Sequence, residues 1–279
     1  MASESINQLV VAGCSMVADY ISHKNEVSDW GMNTQRAPDG TPVVWEVQEP
    51  WDTIDITMAK ELGNSPVNIA VPGSSNERIF KDTVNYLYAN HERMDRLVVC
   101  WTTFNRYDIE LKEPNGYGNT FTTLHPLNYN KDDDRNLVRI GHEKLCAVWT
   151  ALQDTGSLWP ERDIRDFFFW NRIIRDLCFM HDIKLYQCSS IAAIYTNDPS
   201  LDEMATYKAF IDHDDYDILA DTFYGWPIYK MVDGYCLFSD WGPKYIISKD
   251  DTHPTKLAHD KAAAKLLQHI KERDNEHYN

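Results

Sequence analysis

The chain has 279 residues, 43% hydrophobic and 12% aromatic, with a formal net charge of −16 and a pI of about 4.9. That length means one large domain or two small ones, and that composition supports a substantial buried core, which excludes wholesale disorder. The acidic balance argues against binding a nucleic-acid backbone, which needs clustered Lys and Arg, and against an anionic membrane surface; most of it reads as a solvated exterior.

The first element is an apolar run from Gln8 to Gly13, a buried strand leading into a turn. Trp51 to Leu62 has helical period through Trp51, Ile54, Met58 and Leu62, with Gly63 as the stop. Val67 to Val71 predicts a second strand closed by Pro72-Gly73. Ser74 and Glu77 then stand at capping-box spacing, opening a helix with Ile79, Val84 and Leu87 on one face. Asp95 to Trp101 predicts a third buried strand.

From about residue 105 to 160 the periodicity fades, and Gly, Asn, Thr, Pro and the run Asp132-Asp133-Asp134 dominate. So long an irregular segment suggests a cap or insertion over a site, with Lys144 to Leu152 as a helix within it. Asp163 to Met180 predicts a strong helix and Asp182 to Ser189 the next strand. Asp202 to Ala220 is ambiguous, and Pro254 to Arg273 predicts a C-terminal helix with Leu257, Ala264, Leu267 and Ile270 inward. Hydrophobic rather than alternating strands, separated by helices, point to a parallel sheet covered on both faces. Without a linker or an internal repeat, the expectation is one α/β domain over 1–279 with an insertion at about 105–160.

The six cysteines, Cys14, Cys100, Cys146, Cys178, Cys188 and Cys236, form no C-x-x-C and no zinc-finger spacing. Cys100, Cys178 and Cys188 lie in apolar runs and read as small buried hydrophobes. The polar, acidic start predicts cytoplasmic synthesis without a signal peptide, and no apolar stretch is long enough to span a bilayer.

In open α/β sheets, ligands bind beyond the carboxyl ends of the strands. Three such ends carry small or polar residues here: Gly13-Cys14-Ser15, Pro72 to Asn76, and Trp101 to Arg106. A fourth segment, Asp250-Asp251-Thr252-His253-Pro254, precedes the last helix, with Pro254 expected in its first turn and His253 just outside. Serine attack needs a base, a carboxylate that orients it, and N–H donors for the developing oxyanion. Ser15, His253 and Asp250 supply the nucleophile, the base and the carboxylate, while the Ser15 and Gly73 amides and the Asn105 side chain suit the oxyanion. Singly each has a plain structural explanation, from turn formation to helix capping; their joint occurrence gives the signal.

The order and spacing of these segments resemble the SGNH hydrolases, the superfamily of GDSL-type lipases, esterases and sugar O-acetylesterases. Ser15 matches the block-one serine, Gly73 the block-two glycine, and Asp250 with His253 the D-x-x-H of block five. The runs Gly13-Cys14-Ser15 and Pro72 to Asn76 particularly resemble stand-alone members from tailed phages and marine microbes. The resemblance implies a three-layer α/β/α flavodoxin-like fold and hydrolysis of acyl esters without metal or cofactor. The substrate class it implies is an ester, acetyl among the candidates, of a carbohydrate or small molecule. It also implies an alternative, a virion or tail component that binds surface glycans and assembles with virion partners, with little or no turnover. An acyltransferase using the same serine is a third reading.

The chain departs from the family pattern at Cys14 and Met16, where Asp and Leu are common, and in block three, which reads Thr103-Phe104-Asn105-Arg106. Arg106 is therefore an alternative to Asn105, and Asp251 to Asp250. His213-Asp214-Asp215-Tyr216-Asp217 lacks calcium-loop spacing and reads as a solvated loop. Phe167 to Trp170 reads as core, as do most of Trp101, Trp149, Trp159, Trp226 and Trp241, although tryptophan faces also suit sugar stacking. No P-loop, H-E-x-x-H, dinucleotide fingerprint or G-x-S-x-G elbow is present.

Overall fold

The computed structural model describes residues 7–18, 52–71, 73–104, 106–110, 121–124, 151, 160–191, 208–228, 234–238, 242–246 and 253–276. Asn105, Asp250, Asp251 and most of the expected insertion, including all but Ala151 of its helix, lie outside them.

Strand β1 (Gln8–Ala12) is the hydrophobic centre of the molecule, with Leu9, Val10 and Val11 fully buried. It pairs in parallel with β2 (Ser65–Asn68) on one side and β3 (Met94–Trp101) on the other. β6 (Lys184–Ser189) continues the sheet beyond β3, and the two-residue β7 (Phe223–Tyr224) closes it. The order is β2-β1-β3-β6-β7, the flavodoxin-like pattern in which the second strand lies outside the first. β4 (Tyr107–Glu110) and β5 (Phe121–Leu124) form a separate antiparallel pair after β3, within the expected insertion.

Because β2 lies to one side of β1 and β3 to the other, right-handed crossovers put the two intervening helices on opposite faces. α1 (Ile54–Leu62) packs with the C-terminal helix α5 (Lys256–Glu276), and α2 (Asn76–Asn90) with α3 (Pro160–Met180). The three-layer α/β/α arrangement expected from the resemblance is the one observed. α1 ends where expected: Gly63 takes the left-handed conformation at φ +71° and its N–H bonds Ala59 O.

Several boundaries differ from expectation. β2 starts at Ser65 and includes Pro66, which an edge strand tolerates because one side of its backbone carries no ladder. Its partnership with β1 nonetheless runs on through Ile69 N–H to Val11 O and Val71 N–H to Gly13 O. The α2 cap is Ser75 rather than Ser74, since Arg78 N–H donates to Ser75 Oγ at 3.2 Å. In α5 the inward stripe runs through Ala258, Ala262, Ala263, Leu266, Leu267 and Ile270, while Leu257 is 48% exposed and Ala264 also faces outward. Within 202–220, residues 208–211 are helical and a short α4 covers Tyr216–Ala220.

Two side-chain groups hold the sheet to its flanks. Phe104, Phe167, Phe168, Phe210, Phe223 and Trp226 form a continuous aromatic cluster, with ring centroids 4.9–6.4 Å apart in successive pairs. At the opposite edge Asp274, near the end of α5, accepts from Tyr186 (2.5 Å) and Arg96 (2.9 Å) and pairs with Lys184 (3.1 Å). The loop at 213–217 is not simply solvated: His213 stacks on Phe168, and buried Asp215 pairs with Arg172.

Candidate active site

β1 delivers Ser15 to the carboxyl edge of the sheet. Immediately after the strand, Cys14 O accepts from both Val17 N–H and Ala18 N–H at 3.1 Å, so the chain wraps into a single tight turn. Ser15 sits in that turn at 9% exposure. Gly13 makes the wrap possible, since a Cβ there would come within 2.4 Å of Val17 Cγ2 and 3.0 Å of Cys100 O. Cys14 and Met16, the two departures in block one, are both buried in the core. Ser190 Oγ donates to Trp101 O (2.7 Å), which leaves the Cys14 thiol to donate to Ser190 Oγ at 3.6 Å.

The Gly73 turn stands beside it. Val71 N–H bonds Gly13 O at 3.1 Å, and Ser74 N–H closes the turn on Val71 O at 3.2 Å. Gly73 has φ +81°, the backbone that the third position of a type II turn requires. Ser75, fully buried, caps α2 and donates to Asp108 Oδ2 on β4 at 2.8 Å, so the hairpin is fastened to the turn.

At the end of β3, Thr102, Thr103 and Phe104 are buried. The Asn76 carboxamide meets this strand end three times: Oδ1 accepts from Thr102 N–H (2.8 Å), and Nδ2 donates to Thr102 O (3.1 Å) and Thr103 O (3.4 Å). Ser74 Oγ, Thr102 Oγ1 and Thr103 Oγ1 are buried at this edge without a hydrogen-bond partner among the described residues. Arg106 is half-buried with its Nε likewise unpartnered, and Asn105 lies outside the described residues.

His253 is half-buried just ahead of α5. Pro254 is not in the first helical turn as expected; it pairs with Ile246 in an antiparallel bridge, and the helix begins at Lys256. Thr255 continues that pairing, with its N–H on Tyr245 O and its hydroxyl on Lys244 O, both at 3.0 Å, while its carbonyl accepts from His259 N–H. A bridge rather than a helix terminus thus holds His253. A run of contacts joins its helix to the first turn. Phe238 N–H donates to Ser190 O at 3.1 Å, and the Phe238 ring meets His259 edge-on at 5.8 Å. Ser190 in turn receives the Cys14 thiol. Asp250 and Asp251 fall outside the described residues.

Sequence reasoning missed Asp108 and Ser190, and reached Asn76 only as the last residue of the Pro72 to Asn76 run, without a role. The strand-end rule that selects Ser15 applies equally to Ser189-Ser190 after β6, so a signal for Ser190 existed. The contacts of Asn76 and Asp108 reach 26 and 33 residues along the chain and have no local signature. Beside the hairpin, Tyr107 donates to Asp163 near the start of α3, with the Arg162 guanidinium over the Tyr107 ring. Burial pushes the Asp163 carboxyl up to about 6, against the opposing pull of the Tyr107 and Arg162 hydrogen bonds.

The described cysteines carry free thiols, and burial raises Cys178 to about 12, which keeps it inert. Among the described residues no group of three or more His, Cys, Asp or Glu side chains is disposed to hold a metal, and no helix is long and apolar enough to cross a membrane.

Fold and site define an α/β protein of flavodoxin-like order whose small polar residues gather at the carboxyl edge of the sheet. No family model matches the chain, and no curated protein does. Among solved structures it is similar to a proposed acylhydrolase from Bacteroides fragilis, at 13% identity and TM-score 0.42, over 98% of this chain and 89% of that one. It is also similar to a GDSL-like lipase from Bacteroides thetaiotaomicron, at 11% identity and TM-score 0.40, over 95% of this chain and 88% of that one. Superposition at this level transfers no residue role.

Proposed function

We propose that the protein is a serine esterase that removes acyl groups, acetyl being the simplest, from a carbohydrate or a small ester. Ser15 attacks the ester carbonyl and His253 takes its proton. Asp250 holds the imidazole in the tautomer that can accept it. The Ser15 and Gly73 amides, with Asn105 or Arg106, stabilise the tetrahedral oxyanion. His253 then protonates the leaving alcohol, and water activated by the same imidazole releases the acid from the acyl-enzyme.

The observation that supports this reading is the meeting of the Ser15 and Gly73 turns at one edge of the sheet. The Ser15 turn is bonded to the Gly73 turn through Gly13 O, and its neighbour Cys14 leads through Ser190 and Phe238 to the helix that follows His253. The block-one departures weigh little against catalysis, because Cys14 and Met16 are core side chains rather than groups facing a substrate. The test is steady-state hydrolysis of p-nitrophenyl acetate. Wild type should turn over repeatedly, and Ser15→Ala should lose at least about 1000-fold in kcat with folding intact. Equal rates in the two proteins would remove Ser15 from the reaction.

A further inference from the structure

β2 and β3 are not neighbours in the sheet; β1, the strand that leads into the Ser15 turn, lies between them. Their carboxyl ends are therefore about 9–10 Å apart, two strand spacings, and no ladder fixes one against the other. Both ends nonetheless contribute to the candidate oxyanion site, the first through Gly73 and the second through the segment that continues to 105 and 106. An oxyanion hole works only when its donors are held in place before charge develops, and a displacement of about 1 Å costs on the order of 100-fold in rate.

One side chain spans this gap. Asn76 is 4% exposed, follows the Gly73 turn at the start of α2, and spends both ends of its carboxamide on the end of β3. It imitates a missing strand: its oxygen accepts the Thr102 N–H as a neighbouring carbonyl would, and its nitrogen donates to the Thr102 and Thr103 carbonyls. The cap at Ser75 and its bond to Asp108 fix the same turn from the other side. We propose that Asn76 is a positioning residue that sets the Gly73 turn against the end of β3, across the strand that carries Ser15, and thereby fixes the spacing of the oxyanion donors. The inference rests on the serine-esterase reading for its kinetic consequence, whereas the clasp itself stands on geometry.

Asn76→Asp tests it. The variant keeps side-chain volume and the acceptor for Thr102 N–H, but its second oxygen, when ionised, faces two carbonyl groups. At pH 8 the kcat for p-nitrophenyl acetate should fall about 10- to 100-fold with KM within about twofold, because ground-state binding does not use the oxyanion donors. Protonation restores a donor, so the variant-to-wild-type ratio of kcat should rise as pH falls toward 5; the ratio cancels the titration of His253. Hydrogen exchange should quicken in peptides covering 73–76 and 102–104 and stay unchanged in β1 and β6. Asn76→Ser, which removes the clasp without charge, carries the same comparison if the acidic variant does not fold. A folded variant with kcat within twofold of wild type, or with a kcat ratio that does not move with pH, overturns the proposal. Failure of the wild type to hydrolyse the ester would instead overturn the esterase reading, and the exchange comparison would still decide the clasp.

Discussion

At the scale of single residues, the carboxyl edge of the sheet is unusual in how many polar groups it buries. Ser15, Ser74, Ser75, Asn76, Thr102, Thr103, Ser189 and Ser190 are all buried there, and three of their hydroxyls find no described partner. Each such hydroxyl costs about 1–3 kcal/mol relative to one that is paired, so stability alone does not select this composition. Asp163 illustrates a different cost. Its carboxyl is raised from 3.8 to about 6 in the fold, so between those values the folded chain binds more protons than the unfolded one. Stability therefore falls as pH rises through that window, and the loss is complete above it. Asp163→Asn, which retains an acceptor for Tyr107, should be no more stable than wild type below pH 4. Its advantage should grow to at most about 3 kcal/mol above pH 7. Urea unfolding at a series of pH values measures this, and a pH-independent difference would contradict the assignment.

At the scale of elements, long apolar runs were legible in the sequence and their edges were not. β1, β3 and α3 fall within a few residues of expectation because continuous buried runs and a strong amphipathic face leave little choice. β2 was displaced because Pro66 reads as a breaker unless the strand is known to lie at an edge. β7, two residues long, has no period to detect. The inward face of α5 was half legible: Leu267 and Ile270 are buried as expected, but Leu257 and Ala264 face outward, because Leu257 is a stronger apolar marker than Ala258, Ala262 and Ala263, which face inward. A pair of substitutions tests the observed face. Leu266→Ala, at a fully buried site, should cost about 2–5 kcal/mol, and Leu257→Ala no more than about 0.5 kcal/mol. Chemical unfolding of the two variants reads this directly; similar losses would mean that the observed face is wrong.

At the scale of the whole molecule, strand order does what local pattern cannot. Segments after β1, β2, β3 and β6 meet because all four strands run in parallel, so every carboxyl end faces the same way. The placement of Ser15 and Gly73 in turns at this edge was legible from strand ends and small residues. The fastening of one end to another was not. Asn76, Asp108 and Ser190 act through hydrogen bonds between residues distant in sequence, which periodicity and spacing do not encode. The bridge between Ile246 and Pro254, by contrast, joins residues close in sequence, but a single bridged pair has no period to detect.

The central claim is that the hydroxyl in the first turn reacts with help from an imidazole near the other end of the chain. Treatment with a fluorophosphonate, followed by peptide mass mapping, tests it most directly. Wild type should carry a single adduct on the peptide containing Ser15, and His253→Ala should label at least about 100-fold more slowly while remaining folded. An adduct on another residue, or undiminished labelling of Ser15 without His253, would contradict the account.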